Sequence, residues 1–416
     1  MEINYNKNYK NNKLPQGWVE CKLGDIVEYK KGKKPKVLQA EYSEGLLPYV
    51  DIKCFEKNII ENYTNSDDGV LIDNKNILVV WDGARAGFCG SYNNRGILGS
   101  TIMALRPLLV NKKLIEYFIQ SKFQILNKQT KGTGIPHVKP DLFWNFLFKL
   151  PPLNEQKRIV EKIEEEFGKI DEGVEKLKSA QEQIKQYRQS VLKSAFEGKL
   201  YKTTEWEEKT LGQVIFPRRE RITPNNNNGE MPFIGMDCIK PNSLTIHEQY
   251  RLKDTKSVSF VFYENDVLYG RMRSYLNKVW QATFDGAASA EFIVFPENEN
   301  IIGTYLKYLL HNQSFVKYAT RNASGDRPRV KFEADLADYK LRLPTLDEQK
   351  QIVKEIEMRF EVADEVERVI AENLEKAEQL KQSILKKAFE GRLVPQDPTD
   401  QPASKLLAKI QAERKK

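Results

Sequence analysis

The sequence LPPLNEQKRIV at residues 150–160 returns as LPTLDEQKQIV at residues 343–353, and these two stretches decide the fold. A second pair, SVLKSAFEGKL at 190–200 and SILKKAFEGRL at 383–393, is separated by the same 193 residues. The segments between the motifs therefore have equal length. The chain contains an internal repeat, which has to be identified before any other element is assigned.

Each repeated segment predicts one long helix. Apolar residues recur every three or four positions over 159–191 and over 352–388, which is the spacing of one helix face. The predicted N-caps and stop signals are Asn154, Asp347, Gly198 and Gly391. At about 1.5 Å per residue each helix would be about 68 Å long. Two such apolar faces in one chain favour an antiparallel coiled coil.

The repeat continues more faintly upstream of the helices. Trp18 and the sequence LGDI at 23–26 correspond to Trp206 and LGQV at 211–214, shifted by 188 residues. We therefore predict an α+β fold with an internal pseudo-two-fold repeat, in which two similar mixed α/β domains are separated by the two helices. The predicted boundaries are domains at 1–153 and 201–346, helices at 154–200 and 347–393, a C-terminal tail at 394–416, and a flexible start at 1–13.

Composition predicts a soluble globular protein. The chain has 416 residues, of which 40% are apolar and 30% charged, and no apolar run approaches the roughly 20 residues of a membrane span. The first residues lack the apolar stretch of a signal peptide, so we expect a cytoplasmic location. Four dispersed cysteines and three histidines have no metal-ligand spacing, so we predict no metal site.

Positive charge is concentrated outside the helices. Residues 154–198 hold 9 Lys+Arg and 10 Asp+Glu, and residues 347–391 hold 8 and 12, giving −1 and −4. Since the whole chain carries +8, the rest carries +13. This distribution is expected if the globular domains contact phosphates and the helices do not.

The order of the motifs resembles one protein family over essentially the whole chain. A globular domain, L-P-x-L-x-E-Q-K-x-I-V, a long helix and S-x-L-x-x-A-F-E-G-[KR]-L, all repeated once, resemble the specificity subunits of type I restriction-modification systems. The sequences LVPQDP at 393–398 and PASKLL at 402–407 are similar to the ending of that family.

The resemblance implies a DNA-binding subunit without catalysis of its own. Each domain would be a target recognition domain that reads one half of a bipartite, asymmetric site in double-stranded DNA, and the helices would set the spacing. It also implies two adenine methyltransferase subunits docked on the helices and two ATP-dependent restriction subunits. S-adenosylmethionine, ATP and Mg would then be used by those partners, with no cofactor bound by this chain.

Candidate partner-binding residues lie on the apolar helix faces and on a predicted amphipathic tail helix. The tail would dock on a methyltransferase or on the helix ends. The candidates are Ile163, Phe167, Ile170, Ile356, Phe360, Leu406, Leu407 and Ile410.

Candidate DNA-binding residues lie in loops, where amide and basic side chains can reach base edges and phosphates. An apolar strand leads into a loop at ILVVWDGARAG (77–87) and, at the matched position, at DVLYGRMRSYLNK (266–278). A second pair of basic loops is KQTKGTGIPHVK (128–139) and RNASGDRPRVK (321–331). With the clusters near 30–34 and 218–221, the candidates are Lys33, Lys34, Arg85, Asn93, Asn94, Arg95, Lys131, Thr133, His137, Arg218, Arg219, Arg221, Arg271, Arg273, Tyr275, Asn277, Arg327 and Arg329.

Two other classes of function compete with this prediction. An independent enzyme lacks the expected motifs, because the one Pro-Pro pair lies in L-P-P-L and there is no G-x-G-x-x-G or G-x-x-x-x-G-K-[ST]. A protein-binding scaffold would suit the acidic helices but leaves the paired basic loops unexplained. Each basic cluster could also be a solvated surface, and His137 could make only a structural hydrogen bond.

Overall fold

The computed structural model describes residues 14–65, 69–130, 135–225 and 228–414. The chain divides into two compact units: unit 1 is Met1–Glu175 with Asn373–Lys416, and unit 2 is Lys176–Glu372. Each unit therefore contains one globular domain, the first half of one long helix and the second half of the other.

Unit 1 has most of its strands together and most of its helices after them, which is typical of an α+β fold. Its strands are β1 (Val19–Lys22), β2 (Val27–Lys31), β3 (Leu47–Val50), β4 (Tyr63–Thr64), β5 (Leu71–Ile72), β6 (Ile77–Val80), β7 (Cys89–Ser91), β8 (Gly96–Leu98), β9 (Ile102–Pro107) and β10 (Leu147–Leu150). Its helices before the first long helix are α1 (Ile52–Lys57), α2 (Lys112–Ser121), α3 (Phe123–Lys128) and α4 (Pro140–Trp144). The strands form sheets in the orders β2-β9-β6-β7, β4-β3-β8-β5 and β1-β10.

Unit 2 repeats this plan with changes at the edges. Its strands are β11 (Glu207–Thr210), β12 (Arg221–Ile222), β13 (Pro232–Ile234), β14 (Tyr250–Arg251), β15 (Ser259–Phe262), β16 (Val267–Gly270), β17 (Val279–Gln281), β18 (Gly286–Ser289), β19 (Phe292–Phe295) and β20 (Lys340–Leu343). Its helices before the second long helix are α6 (Leu211–Val214), α7 (Gly303–His311) and α8 (Gln313–Asn322). The sheet orders are β12-β15-β18-β13-β14, β17-β16-β19 and β11-β20.

The two predicted long helices are present and equal in length. Helix α5 spans Leu153–Phe196 and helix α9 spans Leu346–Phe389, 44 residues each. Both end before a glycine in the left-handed conformation, Gly198 with φ +73° and Gly391 with φ +71°, as predicted. The predicted N-caps are wrong by two residues: Asn154 and Asp347 lie within the first turn of their helices.

Within each unit, a cation joins the two long helices at the same place in the repeat. In unit 1, Lys381 of α9 pairs with Asp171 of α5 and lies 5.2 Å from the ring of Phe167. In unit 2, Arg188 of α5 pairs with Asp364 of α9 and lies 4.9 Å from the ring of Phe360. Because Arg158 near the start of α5 pairs with Asp400, which follows α9, the helix segments of unit 1 run in opposite directions. In unit 2, Thr203, which follows α5, bonds to Glu348 at the start of α9, so these segments also run in opposite directions, as the repeat predicts.

The Gln of the repeated E-Q-K motif fastens each long helix to its domain. The amide nitrogen of Gln156 donates to Pro151 O at 2.9 Å, and its oxygen accepts from Asn111 N at 2.9 Å. Gln349 makes the matched bonds to Pro344 O (3.1 Å) and Ile302 N (3.0 Å). Because both glutamines are fully buried, these bonds satisfy polar groups that would otherwise be costly to bury.

The C-terminal tail forms helix α10 (Ala403–Glu413), which packs on unit 1 itself. Ala403 N donates to Gly17 O at 2.8 Å, and Arg158 at the start of α5 pairs with Asp400 at 2.7 Å. Ile410 is fully buried, and Leu406 and Leu407 pack against the same core. Of the two predicted docking sites for the tail, a methyltransferase or the helix ends, the structure shows the tail at the start of α5.

The predicted partner-binding residues require correction. Ile163 and Ile356 are fully buried in the cores of their units, as is Ile410 in unit 1, so they cannot contact another protein in this structure. Phe167, Ile170 and Phe360 are half-buried and also pack against those cores. Helix periodicity identifies an apolar face but not what covers it, and here the chain's own domains do so.

Candidate DNA interface

Three loops of unit 1 meet around one carboxylate. The Oδ2 atom of Asp82 lies 2.6 Å from Lys31 Nζ, at the end of β2, and its Oδ1 lies 2.6 Å from His137 Nδ1. Main-chain bonds from Gly83 N to Pro136 O and from Val138 N to Trp81 O join two of the loops. The sequence-predicted loops at 77–87 and 128–139 are therefore neighbours in the structure.

Arg85 stands at the tip of the 82–87 loop. Its side chain is 51% exposed, its guanidinium lies 4.4 Å from the ring of Phe88, and it pairs with Glu56 at 3.2 Å. An arginine held over a ring keeps its orientation while its outer donors stay in water. Such a side chain can donate to a base edge or a phosphate at little further cost in conformational entropy.

Unit 2 brings the matched loops together with the same main-chain bonds. Arg273 N donates to Pro328 O at 2.7 Å, and Val330 N donates to Arg271 O at 3.0 Å. The Arg329 guanidinium binds Glu291 through two bonds, of 2.9 Å from Nε and 2.7 Å from a terminal nitrogen. This pairing holds the pKa of the Glu291 carboxyl below its usual range.

The two tip loops have positive φ at the same two positions and differ in their chemistry. Gly83 and Gly87 adopt φ of +110° and +94°, and the matched Arg273 and Asn277 adopt φ of 53° and 48°. The loops also share one main-chain bond, from Ala86 N to Gly83 O (2.9 Å) and from Leu276 N to Arg273 O (2.8 Å), and positive φ strains the non-glycine pair. The residue matched to Arg85 is then Tyr275, which is 52% exposed.

Two predicted DNA contacts in unit 2 have structural partners instead. Asn277 is buried and its amide donates to His311 O at 3.1 Å, so its prediction as a DNA contact is wrong. Arg218 binds the buried carboxylate of Asp266 through bonds of 2.8 and 3.1 Å and lies 4.6 Å from the ring of Tyr263. Its donors are therefore largely taken, although a DNA contact by Arg218 stays a prediction.

The remaining candidates are mostly exposed but are not all joined to the loop clusters. Arg219 pairs with Glu333, and Arg221 lies 5.6 Å from the ring of Phe260 on β15. Arg271 is half-buried. The exposed candidates are Lys33, Lys34, Asn93, Asn94, Arg95, Arg273 and Arg327. Lys131 and Thr133 lie outside the described residues, and all of these stay predictions.

Sequence reasoning missed the acids that organise the loops. The predicted contacts were cations, amides and hydroxyls, whereas the carboxylates of Asp82 and Glu291 hold His137, Lys31 and Arg329 in place. A signal was present, since Asp82 directly follows the apolar strand and precedes a glycine. The structural hydrogen bond considered for His137 is therefore formed, which leaves Nε2 as the atom available to a ligand.

Metal-ligand clusters and membrane-spanning helices are absent from the described residues. Within them, no three His, Cys, Asp or Glu side chains are grouped as a metal site would require. The cysteines are buried free thiols. None of the helices described is both long and apolar enough to span a bilayer.

Comparison with known proteins assigns both halves of the chain. The family described as "Type I restriction modification DNA specificity domain" matches residues 15–182 and again residues 203–376. This chain belongs to that family. Each match covers one domain with the greater part of the long helix that follows it, so the chain carries two DNA specificity domains.

Similar proteins carry the same assignment over nearly their full length. The MjaVIII specificity subunit of Methanocaldococcus jannaschii is 29% identical over 90% of this chain and 93% of its own. The EcoDI specificity subunit of Escherichia coli is 25% identical over 97% and 96%. These relatives identify this family member as a type I restriction-modification specificity subunit, which in general is not catalytic.

Two solved structures share the fold. One is a chain from a structural study of complex assembly and conformational transition of the type I R-M system. It has a TM-score of 0.68 and 20% sequence identity, and the match covers 92% of this chain and all of that one. The HsdS subunit of Thermoanaerobacter tengcongensis has a TM-score of 0.51 at 19% identity, covering 91% and 98%. The α+β specificity-subunit architecture is thereby confirmed.

Proposed function

We propose that each specificity domain reads one half of a bipartite, asymmetric DNA site through its two joined loops. The observation that carries this proposal is the exchange of Arg85 for Tyr275 at matched, exposed positions of loops that are joined by the same main-chain bonds. An arginine favours the acceptors of guanine, whereas a tyrosine offers one hydroxyl and an apolar ring. The two halves of the site would accordingly differ in sequence.

The proposal includes docking of methyltransferase subunits on the long helices, at residues other than those the sequence suggested. Met358, Val362 and Val366 lie one turn apart on α9 and are 49%, 62% and 42% exposed. The α5 residues at matched positions are Glu165, Lys169 and Gly173. An apolar row in this acidic part of α9 suits an amphipathic partner helix with basic edges.

The remaining parts of the complex follow from membership in the family. This chain would act in the cytoplasm with two methyltransferase and two restriction subunits. The partners would use S-adenosylmethionine, ATP and Mg, and this chain would bind none of them. The helices would set the number of base pairs between the two halves of the site.

Mapping methylated adenines tests the proposal directly. Cells expressing this chain with its neighbouring methyltransferase should methylate one bipartite sequence. Arg85→Ala should relax or change the bases required in one half only, and Tyr275→Ala those in the other half only. Methylation at an undivided site, or the same half altered by both variants, would refute the assignment of one domain to each half.

DNA binding at low salt distinguishes the proposed function from that of a protein-binding scaffold, which would show none. The complex should bind random duplex DNA at low salt, with an affinity that falls steeply as salt rises. The double variant Met358→Glu, Val362→Glu should lose assembly with the methyltransferase. It should still fold, because both side chains are exposed. The variant Glu165→Ala, Lys169→Ala changes exposed positions on α5 and serves as the matched control.

A further inference from the structure

Unit 1 contains a stack of three aromatic rings beside its joined loops. Tyr29 stacks on Trp144 with ring centroids 4.1 Å apart and planes 24° from parallel. Trp144 in turn stacks on Trp81, 5.7 Å away and 26° from parallel. Tyr29 forms the outer end of the stack and is 52% exposed, so one face of its ring is covered and the other is open.

The stack belongs to the same surface as the candidate DNA contacts. Tyr29 and Lys31 are two residues apart on β2 and therefore point to the same side of the strand. Lys31 Nζ lies 5.9 Å from the ring of Trp81 and binds Asp82, which also holds His137. The open ring face is thus accompanied by the cation and the loops already described.

The described residues of unit 2 show no matching stack, and the stretch that corresponds to β2 does not form a strand there. The residues at the matched positions are Pro217, Ala337 and Arg271. Three aromatic side chains in one repeat correspond to none in the other, and two of them, Tyr29 and Trp144, lie at the edge of the core. The difference distinguishes the two domains at a surface position.

We propose that the open face of Tyr29 binds one unstacked nucleobase of the DNA held by unit 1. A flat, partly desolvated ring next to a basic surface favours a base, since every base has an aromatic face and stacking tolerates sequence. The covered face, fixed by Trp144, holds the tyrosine ring in position before DNA arrives. This inference rests on the proposed DNA-reading function of unit 1 and adds a contact without sequence preference.

The test uses the full chain in complex with its methyltransferase subunits. Affinity is measured by fluorescence anisotropy for a duplex with the mapped site, for a short single strand, and for an abasic strand of equal length. Tyr29→Ala should weaken binding of the duplex and the base-bearing strand about tenfold and leave the abasic strand unchanged. Tyr29→Phe keeps the ring and should stay within about twofold. Pro217→Ala is the matched control in unit 2 and should bind as the unaltered chain does.

The outcomes separate this inference from the function on which it depends. If the unaltered complex neither binds nor methylates a bipartite site, the proposed function fails. If it does both and Tyr29→Ala binds all three probes normally, the stacking inference alone fails. An equal loss on the abasic strand would also overturn it, because the contact would then be to the backbone. If Tyr29→Ala does not fold, Tyr29→Leu replaces it in the test, because leucine keeps an apolar side chain on β2. Tyr29→Leu should weaken binding to the same extent as expected for Tyr29→Ala.

Discussion

Acid should loosen unit 2 through one buried histidine, His311 at the end of α7. Its side chain is 7% exposed and its Nδ1 has no hydrogen-bond partner among the described residues. Burial, and then the neighbouring Lys307, lower the pKa of His311 to about 4. The main-chain oxygen of His311 accepts the bond from Asn277 that anchors the tip loop carrying Tyr275.

The sign and size of the effect follow from linkage. Unfolding returns His311 to a pKa near 6.5, so below that pH the unfolded chain binds more protons and the folded state loses stability. The loss continues until the pH falls through the folded pKa of about 4. Between pH 7.5 and pH 5.0 it amounts to about 2 kcal/mol.

The matched residue of unit 1 supplies the control. Gln120 occupies the equivalent position at the end of α2, so His311→Gln introduces the side chain of the other repeat. Urea unfolding of the full chain is monitored by tryptophan fluorescence at pH 7.5 and at pH 5.0. The free energy of unfolding should change by about 2 kcal/mol less between the two pH values in the variant than in the unaltered chain. Equal pH dependence in the two proteins would refute the assignment of this loss to His311.

Three further predictions concern the tail, the helices and the loops. Ile410→Ala should destabilise unit 1 by about 2–5 kcal/mol because the side chain is fully buried, with exposed Lys409→Ala as the control; equal urea midpoints for both would contradict the docked tail. Inserting four residues at matched positions in α5 and α9 lengthens each helix by about 6 Å and should widen the spacer of the methylated site by one or two base pairs at about 3.4 Å each, whereas an unchanged spacer would rule out that role. Arg85→Ala should weaken specific binding by about 1–3 kcal/mol, with little change for Arg342→Ala, which lies outside the loops; anisotropy titration at fixed salt measures both.

The domain plan could be predicted from the sequence because helix periodicity and repeated motifs are local signals. The equal spacing of the two motif pairs gave both long helices, and Gly198 and Gly391 gave their ends. The starts were less well predicted: Pro152 and Pro344 are compatible with the helical entry, so the helices begin before the polar residues chosen as caps.

Partner and DNA contacts were predicted less well, because exposure depends on residues far away in the chain. Ile163, Ile356 and Ile410 are apolar at helical spacing whether a domain, a tail or another protein covers them. Asn277 follows a basic loop in the sequence, yet its left-handed backbone turns the side chain inward to His311.

The sequence by itself determined the repeat, the helices and the positive charge of the domains, since these depend on residue spacing and composition. Only the tertiary structure decided which loops meet, that Asp82 and Glu291 hold them, and that Tyr29, Trp144 and Trp81 form one stack. The stack, for example, joins residues from 29 to 144 that share no periodic pattern. They arise when strand pairing and helix packing bring distant loops to the same edge of a domain.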